Sequence, residues 1–465
     1  RMGAKIVRID DVFSQSATWN AKKNTFDFAK ADRFLEGLEK RGLAVDAIIQ
    51  ENGFKNFTED FCEQVARHYG ERIDYYEVGN EWDLAPKERL TPEKAVEWQK
   101  LAYRGLKKGN PKARVTTNGW AVEDSNGHAN VTQKGFQETF MKEAKGAYDI
   151  HAMHLHFPFQ NYVDRMGRFF KLREACGVTE PFLLNETALN VQYRGEEEVA
   201  ENVWLKIIYG WAHGATDYIW YNMRASGYDP GGTYGVVNRE FRPRLTYAAF
   251  SGFTAALGEH DFDRILVEKE GRKVYRFRHR AGRELVIAGW DTGLLKPIEV
   301  RVKTDARKAW IADIMNNRRE VAVTDGTAML VLSGAPQAWG FEGATFAKPE
   351  KAILSPTKAP PRVIHVSPVR PDYGWDMLLD RYAQVHEEYP ADPATAHRTW
   401  KGKDDCSGIA LFKLKDGRAN LYISVRDEKD APGDTVQVWR DGKDVTPTLK
   451  FVRTRHGDNR TTYEA

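Results

Sequence analysis

The chain has 465 residues, a length that favours two to four domains. Lys and Arg number 69 against 66 Asp and Glu, so the basic excess of a nucleic-acid scaffold is missing. The three cysteines, Cys62, Cys176 and Cys406, are too scattered for a disulfide framework or a cysteine metal motif, and no apolar run, VWLKIIYGWA included, is long enough to span a bilayer.

No signal peptide is visible, and Arg1 leads almost at once into a strand, so the sequence reads as a piece of a longer precursor. From residue 5 to about 257 one pattern repeats. Short apolar runs at 5–10 (KIVRID), 44–50 (AVDAIIQ), 73–79 (IDYYEVG), 113–119 (ARVTTNG), 149–157 (DIHAMHLHF), 181–189 (PFLLNETAL) and 217–223 (DYIWYNM) read as strands. Between them lie stretches such as FTEDFCEQVARHYG, with apolar residues at three- and four-residue spacing and a closing Gly, which read as helices. TPEK at 91–94 supplies a Thr cap, a Pro at the first helical position and an acidic residue in the first turn.

Alternating strands and helices imply a parallel sheet. Seven strands, at roughly 35 residues per strand–helix unit, predict a (β/α)₈ TIM barrel over residues 1–258, with the first strand upstream of Arg1. A doubly wound sheet competes, but no glycine-rich phosphate loop follows any of these strands. Residues 259–345 alternate apolar with polar and are punctuated by Gly, Asn and Asp, the pattern of a β-sandwich. Residues 346–374 are Pro-rich and read as a linker. Residues 375–465 read as a second, incomplete β-sandwich.

In a parallel barrel the reacting groups sit at the carboxyl ends of the strands. Glu81 ends the YYEVGNEWD stretch and Glu186 ends PFLLNE, 105 residues (186 − 81) further on, or three strand–helix units. Those become strands four and seven, facing each other across the barrel mouth. Two opposed carboxylates suit glycosidic cleavage: one protonates the leaving oxygen and the other attacks the anomeric carbon. The acid must keep its proton, and the nucleophile needs donors around it to stay ionised. Asn80, beside Glu81, suits a hydrogen bond to a sugar hydroxyl.

EVGNEWD and LLNETAL, so spaced, resemble the acid/base and nucleophile strands of glycoside hydrolase clan A, the retaining TIM-barrel glycosidases. KIVRID resembles the second barrel strand of that clan, which places Arg8 near the nucleophile; DYIWYNM and the Ala-rich helix after it resemble the barrel's end, with Trp220 as a floor under a sugar. The following segment with ADIMNN resembles the sandwich of the β-xylosidase and α-L-iduronidase-like families, and LYISVRD near the C terminus resembles appended carbohydrate-binding or DOMON-like modules. The resemblance implies a retaining hydrolase of oligo- or polysaccharides, secreted, periplasmic or cell-surface, with Glu81 as acid/base and Glu186 as nucleophile. It implies Arg8, Asn80, Trp82, His154, His156 and Trp220 as substrate-binding residues. It calls for no cofactor or metal; carbohydrate is the expected partner, not nucleic acid, and nothing in the sequence sets an oligomeric state. Two positions depart from the clan pattern: Trp82 stands where Pro is common, and His156 where Tyr is common.

Two other readings compete. His154 and His156 share one face of a strand and can bind a metal, making a metal-dependent hydrolase on the same fold, but that needs ligands from other strand ends, and no second histidine stands there. A non-catalytic polysaccharide-binding protein on an inherited barrel is the other. His151 reads as a core histidine, and Trp19, Trp120, Phe157 and Tyr221 as aromatics at strand ends suited to stacking on sugars.

Overall fold

In the computed structural model the described residues are 2–344, except 10–11, 21–22, 24, 50–56, 123–132, 190, 225–233, 240, 270 and 293–296, together with 406–415, 418–427, 439–440, 443–444, 450–455 and 460–464. The expected Pro-rich linker lies outside them. The chain divides into two units, one of Arg1–Leu189, Asn202–Ser226 and Tyr234–Arg264, the other of Asn190–Glu201, Gly227–Thr233 and Ile265–Ala465. The whole is a mixed α/β fold.

Apart from a short helix at Gln15–Thr18 and an antiparallel pair, Trp19–Asn20 with Thr25–Phe26, strands and helices alternate up to residue 257. They are β1 (Ile6–Ile9), α1 (Ala29–Glu39), β2 (Ala44–Ile48), α2 (Glu59–Tyr69), β3 (Tyr75–Glu77), α3 (Pro92–Gly109), β4 (Val115–Thr116), α4 (Phe136–Glu143), β5 (His151–His154), α5 (Phe159–Ala175), β6 (Phe182–Thr187), α6 (Val191–Ala212), β7 (Ala215–Trp220) and α7 (Leu245–Leu257). Every ladder among these strands is parallel, in two sheets ordered β1-β2-β3-β4 and β5-β6-β7. Isolated parallel bridges, Thr116 to Ile150 and Trp120 to Met153, continue the pairing across the gap between the sheets. β7 lies beside β1.

The burial explains the parallel arrangement. Every residue of β3 and β5 is buried, as is nearly all of β2, so both faces of these strands need covering by helices. Tyr75, Ile150 and Leu183 form one apolar cluster with Ile6 against it, a layer drawn from several strands. Two of the helices begin at threonine caps. Thr58 Oγ1 accepts from the Phe61 N–H and Thr91 Oγ1 from the Lys94 N–H, with Pro92 at the start of α3.

Several strands are shorter than their apolar runs. β3 stops at Glu77, although the run continues to Gly79. Gly79 has φ 86° and Glu81 φ 48°, so the backbone turns left-handed where the sequence pattern still reads as strand. Glu81 therefore stands in a loop beyond the strand, not on its last residue, whereas Glu186 lies within β6.

From His260 on, the described strands pair antiparallel. After β8 (His260–Glu268), β9 (Arg272–His279), β10 (Glu284–Asp291), β11 (Ile298–Lys303), β12 (Lys308–Ala312), β13 (Arg318–Val321), β14 (Val323–Thr324), β15 (Thr327–Leu332) and β16 (Gln337–Glu342), the sheets read β8-β9-β10-β16-β12-β13 and β11-β15-β14. Both contribute to one apolar core, with Val274, Ile287, Trp339 and Phe341 from the larger sheet and Val300, Leu330 and Leu332 from the smaller. Further on, Cys406–Lys415, Arg418–Asp427, Arg460–Glu464 and Val452–Arg455 pair in that order as a four-stranded antiparallel sheet.

α2 and α3 pack through glycine. A Cβ on Gly105 would press on the Glu59 carbonyl and Cys62, and one on Gly109 on the Glu63 carbonyl and Ala66. Gly105→Ala gains about 1 kcal/mol of helix propensity but overpacks a closed contact at a cost of about 1–3 kcal/mol. The expected net result is a thermal midpoint lower by a few degrees; a midpoint that rises instead shows that the helices separate freely.

Candidate active site

One guanidinium organises the site. Arg8, on β1, donates through Nε to Glu77 Oε2 at 2.6 Å and through Nη2 to Glu77 Oε1 at 2.9 Å. The same Nη2 reaches Asn80 Oδ1 at 2.6 Å, and Nη1 reaches Glu186 Oε2 at 2.5 Å. One side chain thus ties the end of β3, the loop after it, and β6. The other Glu186 oxygen, Oε1, faces His156 Nε2 at 3.2 Å. His154 pairs with Glu186 in the β5–β6 ladder, and its Nδ1 lies 2.8 Å from Glu81 Oε1 and 3.9 Å from Glu186 Oε2.

Glu81 is held by its backbone. Its N–H points to the Asn118 carbonyl at 2.9 Å and the Gly119 carbonyl at 3.2 Å, while the Trp82 N–H donates to Asn118 Oδ1 at 3.1 Å. Asp83 accepts from the Ala121 and Val122 N–H groups and from Gln137 Nε2, which pins the loop to the segment after β4. Gly119 (φ 59°) lets that segment pass close by, because a Cβ there would strike the His154 ring and the Glu77 carboxylate.

Electrostatics separate the groups. Burial pushes the Glu186 carboxyl up, but His154, the His156 hydrogen bond and Arg8 outweigh it and hold the group well below the usual carboxylate range. Burial pushes His154 down, yet Glu186 and the hydrogen bond to Glu81 leave it raised. Arg8 also rises, since Glu77 and Glu186 outweigh its desolvation. Burial, then the neighbouring Glu81, pushes Asp83 up to about 7 against the backbone donors that lower it.

Of the residues singled out in the sequence, Arg8, Asn80, Glu81, His154, His156 and Glu186 come together. Trp82 and Trp220 do not join them as open faces. Trp82 is 2 % exposed, fills the space over Gly79 and meets Trp98 edge-on, because the loop turns its indole inward. Trp220 is 9 % exposed and packs edge-on against Phe250 of α7. Tyr221, the next residue, does reach the site, with Tyr234 beside it, their rings 6.0 and 6.2 Å from His156. Sequence reasoning missed Glu77, whose signal was a carboxylate in an otherwise apolar strand. It also missed the ligands sought for a metal: one donor atom each from Glu81, His154, His156 and Glu186 lie within 4.8 Å of one another.

No protein-family model matches the sequence, and no curated protein does. Solved structures do. A family 39 glycoside hydrolase from the gut symbiont Bacteroides cellulosilyticus WH2 superposes at a TM-score of 0.57 and 18% identity, over 73% of this chain and 76% of its own. The family 51 α-L-arabinofuranosidase AbfB from Bifidobacterium longum gives 0.52 and 11%, over 73% and 88%. A glucosidase from Croceicoccus marinus gives 0.54 and 13%, over 73% and 90%. At such identities the likeness is one of fold. Among the described residues no helix is long and apolar enough to cross a membrane.

His151 stands apart from this cluster as a core histidine. Arg173 Nη1 donates to its Nδ1 at 2.9 Å, and burial, then Arg173, lowers its pKa well below the ordinary value. A histidine neutral when folded and chargeable when unfolded takes up a proton on unfolding. Its contribution is full above the unfolded pKa of about 6.5 and is lost as pH falls below it. Urea midpoints are therefore expected to drop between pH 7.5 and 5 more steeply for the wild type than for His151→Gln; parallel profiles contradict this assignment.

Proposed function

We propose that the chain is a retaining glycoside hydrolase acting on an oligo- or polysaccharide, built on a (β/α)₈ barrel followed by a β-sandwich. One observation carries the reading. Glu81, from the loop after β3, and Glu186, from β6, bring carboxylate oxygens within 4.8 Å of each other. Retaining enzymes separate their carboxyl groups by about 5–5.5 Å and inverting ones by about 6.5–9.5 Å. The fold likeness to glycoside hydrolases supports the same class.

In this reading Glu186 is the nucleophile, kept ionised by Arg8 and the two histidines. Its oxygen attacks the anomeric carbon as the glycosidic bond breaks. Glu81, 2.8 Å from His154 Nδ1, gives the leaving oxygen a proton and regains one from the water that releases the sugar. Asn80, oriented by Arg8, is placed to bond a hydroxyl beside the reacting carbon. Tyr221 and Tyr234 form an aromatic wall beside His156. Action outside the cytoplasm and carbohydrate binding by residues 375–465 complete the proposal, on the resemblance alone.

Glu186→Ala is expected to lower kcat on aryl glycosides by roughly a thousandfold or more with unchanged circular dichroism. Normal turnover by that variant removes the assignment. Glu81→Ala should spare substrates whose leaving group needs no proton, such as dinitrophenyl glycosides, far better than alkyl glycosides; equal losses on both would deny Glu81 the acid role. A 2-fluoro glycoside should label Glu186 covalently, whereas a purely sugar-binding protein gives no adduct.

A further inference from the structure

We infer that Glu81, His154, His156 and Glu186 form a binding site for one borderline-soft divalent cation, zinc in the first instance, at the place where a glycoside would react. The site rests on geometry alone; only its effect on turnover rests on the proposed glycosidase activity.

The four donors are two imidazole nitrogens and two carboxylate oxygens, all within 4.8 Å of one another. Metal–ligand bonds of about 2.0–2.2 Å in a tetrahedral site place donors about 3.3–3.6 Å apart. Two of the gaps are already near that: 2.8 Å for His154 Nδ1 to Glu81 Oε1 and 3.2 Å for His156 Nε2 to Glu186 Oε1. Since no gap exceeds 4.8 Å, closing the set needs movement of about 1 Å, and the Glu81 side chain is one-quarter exposed. Two imidazoles select zinc and its transition-metal neighbours over Mg²⁺ and Ca²⁺, which prefer all-oxygen shells.

The supporting contacts also suit a metal. Arg8 holds Glu186 Oε2 and so leaves Oε1 turned toward His156, an outer contact that orients a ligand. Arg8 is a cation near the proposed ion, which counts against binding. Glu77, Glu81 and Glu186 supply three negative charges against that one, so a dication that displaces any proton from the imidazoles meets a net negative group. His154 is fully buried and paired in the ladder with Glu186, so two of the ligands are fixed by the fold. A cation bridging Glu81 and Glu186 takes the oxygens that would attack and protonate a glycoside, so metal and sugar exclude each other.

Titrating the tag-free chain with zinc chloride by calorimetry should show one Zn²⁺ per chain, and titration with magnesium chloride none. His156→Ala and Glu186→Gln, each checked for native circular dichroism, should weaken zinc at least tenfold. No stoichiometric uptake, or undiminished binding in both variants, overturns the site. Labelling of Glu186 by a 2-fluoro glycoside should stop in zinc-saturated protein and return with EDTA. Full-rate labelling with zinc bound overturns the site, because Glu186 would then not be a ligand. Zinc uptake with no labelling in either condition upholds the site and removes the glycosidase reading instead.

Discussion

Arg8 is the constraint on which the site depends. A guanidinium offers its N–H donors in a fixed plane, and here that plane spans Glu77, Asn80 and Glu186. Burying such a charge costs several kcal/mol of desolvation, which the two carboxylates and the amide offset. The consequence is geometric. Glu186 is free to adopt few positions, because one oxygen is taken by Arg8 and the other is turned to His156. A lysine would carry the charge but not the fork, and could not hold three partners in one plane.

The second carboxylate is placed by backbone conformation. Left-handed φ at a non-glycine residue costs about 1–2 kcal/mol, and Glu81 bears it. Its own N–H, the Trp82 N–H and the Asp83 carboxylate repay that cost by bonding the segment after β4. Gly79 and Gly119 make the close approaches possible on either side. The buried indole of Trp82 then locks the loop as a packed side chain, a role for which an open sugar-stacking face would be useless.

Much of this was legible in the sequence, and what was not has physical reasons. The alternation of strands with helices, the Thr91 cap position, and the pairing of Glu81 with Glu186 follow from periodicity and spacing, which are local or additive signals. The end of β3 does not. YYEVG reads as extended throughout, and only the φ of Gly79, set by what packs over it, stops the strand at Glu77. Glu77 went unseen because its role depends on Arg8, a residue far away in the chain. Trp82 and Trp220 were expected to bind substrate, yet whether an aromatic beyond a strand end is open depends on which way the chain turns there. The metal ligands were sought among histidines at other strands, whereas the fold supplies the nearby carboxylates.

The histidine at 156 bears on the chemistry proposed for Glu186. In double displacement the same carboxylate attacks first and departs second. Groups that lower its pKa make it a weaker nucleophile and a better leaving group. Arg8 and His154 already do so, and His156 adds a further hydrogen-bond partner where the clan resemblance leads one to expect a phenol. In the proposed mechanism, donors so placed around Glu186 would favour release of the glycosyl-enzyme over its formation. The balance then falls to Glu81, whose proton must make the first leaving group depart readily enough to keep the first step in pace with the second.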